Sequence, residues 1–268
     1  SKSIAINNNV RVIDVLQKGY GSTLLEGIKN SKGKFVIFAD SDDSYDFSKI
    51  APFIAKLNEG YDLVVGNRFK GGIAKGAMPF SHQYFGNPVI SFLGRIFLKN
   101  KIGDFHSGIR AFNKDKILSL NLYSSGMEFS VEMIARATLE NLKIAEVPTI
   151  LNKDGRNNTQ SHLKTWQDGW QHLVFLLLYS PRWLFYYTGY AFFGLGIILF
   201  LSTIFGTLEL KFLNISLDIF TLFGGCIFLL VGTQAFTFGI LVSHHAHKMK
   251  IIPLGKKDKN YFIRNLNL

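Results

Sequence analysis

Two stretches without a charged side chain, residues 183–208 and 219–243, constrain this chain more than any other feature. Each exceeds the roughly 20 residues a helix needs to cross a bilayer core. The alternative, a pair of buried helices in a soluble protein, fits less well, because soluble helices of this length carry a polar face. Trp183, Tyr186 and Tyr187 open the first run, where an interfacial aromatic belt would lie. Two transmembrane helices are therefore predicted at 183–208 and 219–243. In a chain of 268 residues they leave room for one sizeable domain ahead of them.

Charge sets the orientation. Residues 209–218, between the runs, hold one Lys and two acids, whereas the tail from Lys248 holds six basic residues against Asp258 alone. The positive-inside rule puts that tail, residues 244–268, in the cytoplasm. Two crossings return the chain to its starting side, so residues 1–160 are expected there too. The formal net charge of +11 suits an anionic membrane leaflet rather than nucleic acid, although a basic surface can also be simply solvated. The one cysteine, Cys226, rules out an intrachain disulfide or a cysteine metal cluster. No signal peptide is visible at the start.

The part before about residue 152 reads as α/β. Strands are predicted at 10–16, 34–39, 61–66 and 143–151, and helices at 22–30, 48–58 and 127–141. Pro52 starts the second helix late, with Asp46 or Ser48 near its cap. Such alternation implies a mostly parallel sheet with helices on both faces. Segments 67–80, 99–110 and 152–161 read as loops. In open α/β sheets ligands bind beyond the carboxyl ends of the strands, so the loops after the second and third strands are the first places to look. Residues 161–182 place Trp166, Trp170, Leu173 and Leu177 at helical spacing among polar residues. That pattern suits an interfacial amphipathic helix leading into the first crossing; an ordinary core helix is the alternative.

The apolar run 35–39 ends in Asp40, Asp42, Asp43 and Asp46, four carboxylates within seven residues. Carboxylates spaced i, i+2 at a strand end can converge on a hard divalent cation, and Mg2+ or Mn2+ would bridge them to a diphosphate. Turn chemistry and helix capping explain Asp46 and, less well, Asp43. They do not explain Asp40, since a charge abutting a buried strand costs free energy unless it is paired. Lys18-Gly19-Tyr20-Gly21 precedes a helix and reads either as a weak phosphate loop or as a simple strand-to-helix turn. Glu128 and Glu132 share a helix face; Glu128, at the loop end, is the one expected at a site. His244, His245 and His247 read as a polar membrane boundary rather than a metal site.

The run DSDDSYDF, then GNRFKGG with GAMP, DFHSGIRAF, GMEFSVEM, EVPTILNKDGR and SHLKTWQDGWQHL, resembles the membrane-bound family-two glycosyltransferases. Within them it is most similar to the dolichol-phosphate-mannose-synthase-like group, which makes polyprenyl-phosphate sugars. The resemblance covers nearly the whole chain. It implies a GT-A fold and transfer of a sugar from a nucleotide sugar to a lipid phosphate.

It also implies roles. Asp40 and Asp42 would be the metal pair. Ser44 stands where some relatives carry an amide ligand. Arg68 and Arg110 would clamp phosphate, for which planar guanidinium is suited. Asp104, Ser107 and Gly108 complete the Asp-x-x-Ser-Gly-x-Arg motif, and Asp42, Arg68, Asp104, Arg110 and Glu128 form the catalytic set. Lys18 and Gly19 would sit beside the donor with Asp40 and Asp42. Ser107, Arg110, Arg156, His162 and Lys164 are the candidates for the acceptor phosphate. Relatives begin with one or two further β-α units, about 50 residues, that hold the nucleotide base and ribose. A chain lacking them is expected to bind donor poorly and to leave a sheet edge exposed.

Two rival readings remain. A processive polysaccharide synthase carries a Gln-x-x-Arg-Trp motif, and here Gln167-Asp168-Gly169-Trp170 lacks the Arg. A non-catalytic membrane scaffold is the other. Expected partners are a nucleotide sugar, polyprenyl phosphate and the membrane, with a homo-oligomer formed through the transmembrane helices as a further candidate.

Overall fold

The computed structural model describes residues 2–155, 165–180, 182–205 and 219–248. The predicted acceptor-side residues Arg156, His162 and Lys164 and the basic tail beyond residue 248 lie outside them. The chain forms two units, Ser1–Leu176 and Leu177–Leu268.

The first unit is built on a four-stranded sheet of order β1-β3-β2-β4: β1 (Phe35–Phe38), β2 (Leu63–Asn67), β3 (Arg110–Asn113) and β4 (Ile144–Pro148). Three strands run the same way, as the alternating pattern implies. The fourth, β3, lies between β1 and β2 and pairs antiparallel with both, with Phe38 and Val65 each opposite Arg110. β2 and β4 pair in parallel, from Leu63↔Ile144 to Asn67↔Pro148. The apolar composition of β2 follows from its central place, where every residue is buried.

Helices α1 (Lys2–Asn7), α2 (Tyr20–Asn30), α3 (Ala51–Asn58), α4 (Arg68–Gly71), α5 (Asn87–Leu98), α6 (Lys114–Ser119) and α7 (Phe129–Leu139) surround the sheet. Pro52 lies in the first turn of α3, where its missing N–H is harmless. Phe53 and Leu57 of α3 pack with Val64, Ala111 and Val147 of the sheet and with Ile109 just ahead of β3. Asp46 caps the 3-10 turn Phe47–Lys49 ahead of α3, accepting from the Ser48 amide at 2.9 Å. In α7 every residue from Phe129 to Ala137 is buried. Its Glu132 accepts from the Ser124 amide at 2.9 Å and pairs with Arg136 at 3.2 Å. α8 (Thr165–Tyr179) buries His172 and Leu176 and leaves Trp170 and Val174 exposed.

The structure corrects one expectation and adds a helix. Residues 10–16 form no strand, and Val10 and Leu16 are exposed. A strand needs a neighbour to complete its hydrogen bonds, and among the described residues β1 pairs only with β3. Segment 82–98 is helical: a π-helical turn His82–Gly86 runs into α5, with Pro88 in the first turn of the latter.

The second unit pairs α9 (Tyr187–Phe205) with α10 (Ile219–Lys248), preceded by a π-helical turn, Arg182–Tyr186. Stretches 183–203 and 219–246 are long and apolar enough to cross a membrane, and only 11% and 17% of an apolar 18-residue window in each is buried. That exposure is the reverse of a soluble core helix. The two helices meet through glycines: a Cβ on Gly196 would lie 2.7 Å from the Leu229 nitrogen, and one on Gly232 2.7 Å from the Phe193 nitrogen.

Candidate active site

The antiparallel insertion of β3 builds the site. Because β3 runs against its neighbours, its amino end lies at the carboxyl ends of β1 and β2. The loop 104–109 therefore meets the segments that follow Phe38 and Asn67. Residues after β4 arrive at the same end: the Gly155 amide donates to the Asp42 carbonyl and the Asn152 amide to the Ser44 carbonyl, both at 2.9 Å. Three widely separated motifs thus converge as the rule for α/β sheets predicts.

Asp40 lies against the backbone of Gly108, where any Cβ would overlap its carboxylate. Its Oδ1 accepts from the Tyr20 hydroxyl at 3.2 Å. Burial raises the Asp40 carboxyl above its ordinary value, and the charge of Asp42 adds to the shift. Burial, with Asp40 second, likewise raises the Tyr20 phenol. Asp42 is oriented by Ser44, whose hydroxyl and amide donate to Oδ1 at 2.5 and 3.2 Å. Ser44 thus shapes the turn through Asp42. Asp43 takes a left-handed conformation, φ 66°, which turns the loop.

These carboxylates fit a hard divalent cation. Each works against the charge of the other, and both offer only oxygen. Among the described residues no third His, Cys, Asp or Glu joins them. Mg2+ characteristically binds one or two carboxylates and takes its remaining ligands from water and substrate phosphates.

Arg68 and Asp104 form a buried two-pronged ion pair: Nε to Oδ2 at 2.7 Å and Nη2 to Oδ1 at 2.8 Å, with the Arg68 amide also on Oδ2 at 3.1 Å. Burial opposes the charge on Arg68, but the hydrogen bonds and charge of Asp104 outweigh it and hold the guanidinium protonated. Arg110 differs from expectation. It is fully buried and donates to the carbonyls of Ser107, Ser130 and Phe105 at 3.2, 2.6 and 2.8 Å. Burial lowers its pKa to about 10, against the opposing influence of Tyr20 and Asp104. Its donors are committed to backbone carbonyls of the 104–109 loop and of α7, so in this structure it braces the site and does not present an open phosphate fork.

Of the remaining predicted residues, Ser107 stands in the 104–109 loop, whereas Glu128, Lys18 and Gly19 lie outside it. Ser107 is buried beside Gly66, where a Cβ would come within 2.8 Å of its hydroxyl. Glu128 is half-buried and accepts from the Gly126 amide at 3.0 Å. Lys18 is exposed. Gly19 and Gly21 pack on the carbonyls of Ser125 and Ser124, where side chains would collide. The Gly21 and Ser22 amides bond to Ser125 O at 2.8 and 3.3 Å, so the start of α2 is closed by backbone and is no open phosphate cradle.

The sequence pattern did not single out Tyr20, Tyr45, Glu146, His106 or His172. The Tyr45 hydroxyl accepts from the Gly108 amide at 2.9 Å. Glu146 is a hub: Oε1 accepts from the amides of Gly103 and Asp104 at 2.6 and 3.1 Å and from Asn67 Nδ2 at 2.9 Å, and Oε2 pairs with Lys70 at 2.8 Å. It fixes the chain on which Asp104 stands. An acid inside the apolar segment KIAEVPT was the available signal, since a buried charge demands partners. His106 Nε2 and His172 Nδ1 lie 2.9 Å apart. Burial, then the charges of His172 and Arg68, hold His106 well below the usual histidine range.

Comparison with known proteins agrees with this geometry. Residues 2–119 match the model of the family "Glycosyl transferase family 2". The chain is 33% identical over 238 residues to the low-salt glycan biosynthesis hexosyltransferase Agl6 of Haloferax volcanii, covering 88% of this chain and 56% of that protein. It is 29% identical over 147 residues to a dolichyl-phosphate hexose transferase of the same organism, covering 54% of this chain and 62% of that protein. The chain thus spans little more than half the length of these relatives. Among solved structures, glucosyl-3-phosphoglycerate synthase from Mycobacterium tuberculosis, crystallised with Mn2+, UDP and glucosyl-3-phosphoglycerate, superposes with a TM-score of 0.51 at 18% identity. That likeness covers 67% of this chain and 64% of the synthase and supports the GT-A-like fold. Residues 2–119 of the chain therefore form a glycosyl transferase family 2 domain.

Proposed function

We propose that the protein transfers a sugar from a nucleotide-diphosphate sugar to a polyprenyl phosphate at the cytoplasmic face of a membrane, giving a lipid-linked sugar for glycan assembly. The observation that carries this reading is the half-buried Asp40 with Asp42 at the end of β1, with the Arg68–Asp104 pair and loop 104–109 at the same sheet end. Exposed, bilayer-length α9 and α10 in the same chain support a lipid acceptor.

The acceptor phosphate oxygen attacks the anomeric carbon, the bond from that carbon to the donor diphosphate breaks, and the nucleoside diphosphate leaves. A phosphate monoester is already anionic near neutrality, so no strong general base is required. Asp40 and Asp42 would hold Mg2+ or Mn2+, which when bound neutralises charge developing on the departing diphosphate. Arg68 adds a fixed positive charge at the same sheet end. Arg110, with Tyr45 and Glu146, keeps the 104–109 loop in place. Lys18, Gly19 and Glu128 are assigned to the donor side, and Ser107, Arg156, His162 and Lys164 to the acceptor phosphate. Self-association of the spans is supported by Gln234, an exposed carboxamide midway along α10. In hydrocarbon such a group gains from a partner, and an amide can pair with its own copy.

The test uses membranes containing the chain, supplied with labelled nucleotide sugars and polyprenyl phosphate, with and without divalent cation. Labelled lipid that is lost with Asp42→Ala supports the proposal. Long polymer points to a processive synthase instead. No product with any nucleotide sugar, even when the upstream β-α units are restored, overturns both and leaves a non-catalytic scaffold.

A further inference from the structure

Four residues of the first unit hold the backbone of the 104–109 loop. Glu146 accepts from the amide of Asp104, Ser91 Oγ from that of Phe105 at 3.2 Å, and the Tyr45 hydroxyl from that of Gly108. Arg110 donates to the carbonyls of Phe105 and Ser107. The His106 side chain joins the loop to a different element. Its Nε2 lies 2.9 Å from Nδ1 of His172, on the part of α8 that belongs to the first unit.

Packing alone does not call for these two rings. Leu176, one turn further along α8, is buried, and Phe175 approaches the Tyr123 ring with centroids 6.4 Å apart. Apolar contacts of that kind hold a helix without burying polar atoms. A histidine pair brings ring nitrogens instead, and His106 Nδ1 is buried with no hydrogen-bond partner among the described residues. That costs free energy which an apolar pair would not.

The same nitrogen says which ring donates. A neutral imidazole carries its proton on one nitrogen and accepts at the other. Were His172 the donor, the His106 proton would sit on Nδ1, a buried N–H facing no acceptor among the described residues. Buried N–H groups are rarely left that way. With His106 donating from Nε2, Nδ1 keeps a bare lone pair. A second proton on His106 would have to go to that nitrogen. The fixed charges nearby are the cations Arg68 of α4 and Arg110 of β3, and the other titratable rings are His172 and His82 of the π-helical turn. Asp104, whose Oδ1 accepts from the His106 amide at 3.2 Å, is already committed to Arg68. Burial first, then these neighbours, keeps the ring neutral.

We propose that His106 and His172 are a positioning pair, in which a neutral imidazole hydrogen bond, donated by His106 Nε2 and accepted by His172 Nδ1, sets the register of the 104–109 loop against α8. Apolar contact is non-directional, whereas a hydrogen bond fixes both distance and angle. His106 stands two positions after Asp104, the partner of Arg68, and two before Gly108, the backbone against which Asp40 lies. A shift of His106 is therefore felt on both sides of the site. The inference deepens the proposed transfer, and only its kinetic consequence rests on that reading.

The test uses the full chain in nanodiscs, labelled with 15N at histidine. Ring 15N shifts separate the two neutral tautomers from the cation. At about pH 6, below the ordinary histidine value of about 6.5, His106 should be neutral with its proton on Nε2, and His172 should accept at Nδ1. Substitutions at 172 then read the geometry. An Asn amide falls where Nδ1 lies and a Gln amide where Nε2 lies, so His172→Asn should keep the bond and His172→Gln should lose it. The backbone amide of His106, seen through the same label, should exchange with solvent about tenfold faster in His172→Gln and His172→Leu. In His172→Asn it should exchange at the native rate. In transfer assays His172→Gln and His172→Leu should lower kcat about 10–100-fold with little change in KM for nucleotide sugar, and His172→Asn should restore it. A charged ring at either position at about pH 6 overturns the proposal, as do equal effects of Asn, Gln and Leu at 172. Faster exchange in His172→Leu with unchanged kcat reduces the pair to fold support and also overturns it. Absence of transfer in the unsubstituted chain, with the tautomers and exchange rates as expected, overturns the proposed reaction and leaves the loop register standing.

Discussion

Asp104 and Arg68 show how one residue can matter to both fold and chemistry. Both are buried, and each satisfies the other with two hydrogen bonds. Removing the acid alone leaves a guanidinium without its counter-charge, which typically costs about 3–5 kcal/mol. Asp104→Ala is therefore expected to lower stability by that order in denaturant unfolding of the detergent-solubilised protein. Arg68→Met with Asp104→Leu should recover most of the loss, because an apolar pair carries no desolvation penalty. Transfer activity should be absent from both. Asp46 gives the opposite case, an exposed acid with a purely local role. The side chain and amide of Ser48 hold its carboxyl below the ordinary value. A carboxyl depressed in the folded state contributes stability above its unfolded pKa, about 4, and loses it as pH falls through the folded value. The melting deficit of Asp46→Ala should thus be full at neutral pH and close in acid. Asp46 was legible in the sequence because a cap needs only residues two or three away. Glu146 was not, because its partners lie 43 and 79 positions distant along the chain.

At the scale of elements, legibility followed the source of the stabilising contacts. α10 and most of α9 were readable because length and composition alone decide them. The segment at 10–16 failed because a strand depends on a neighbour that no local pattern guarantees. The helix at 82–98 was hidden by its apolar outer face, which blurs helical periodicity. The contact between α9 and α10 yields a sharper expectation than either helix alone. Gly196 and Gly232 admit no side chain, with backbone atoms 2.7 Å from each would-be Cβ, whereas Gly194 and Gly224 face open space. Gly196→Leu and Gly232→Leu should separate the helices and lower the melting temperature in detergent, an overpacking effect of about 1–3 kcal/mol or more. Gly194→Leu and Gly224→Leu should change it little. Equal effects at all four would mean that the glycines act through helix propensity and not through the contact.

For the whole molecule, the α/β unit and the apolar pair were both visible in the pattern of hydrophobic residues. The convergence of the site was not. It depends on β3 entering the sheet antiparallel, so that a motif some 60 residues downstream of Asp42 reaches the same sheet end. Orientation in the membrane rests on charge alone and can be argued to a test. Residues 209–218 hold Lys211 against Glu209 and Asp218, whereas the tail holds six cations against Asp258. Cations near the ends of a crossing are retained on the cytoplasmic side. With Cys226→Ser as background, single cysteines would replace Ser119 in the α/β unit, Asn214 between the spans, and Asn260 in the tail. A membrane-impermeant maleimide applied to intact cells should label Asn214→Cys alone, and the other two only after permeabilisation. The reverse pattern would place the site on the outer face, away from cytoplasmic nucleotide sugars, and would remove the donor from the proposed reaction. Labelling of positions 119 and 260 from opposite sides would mean an odd number of crossings, so that α9 and α10 could not both span.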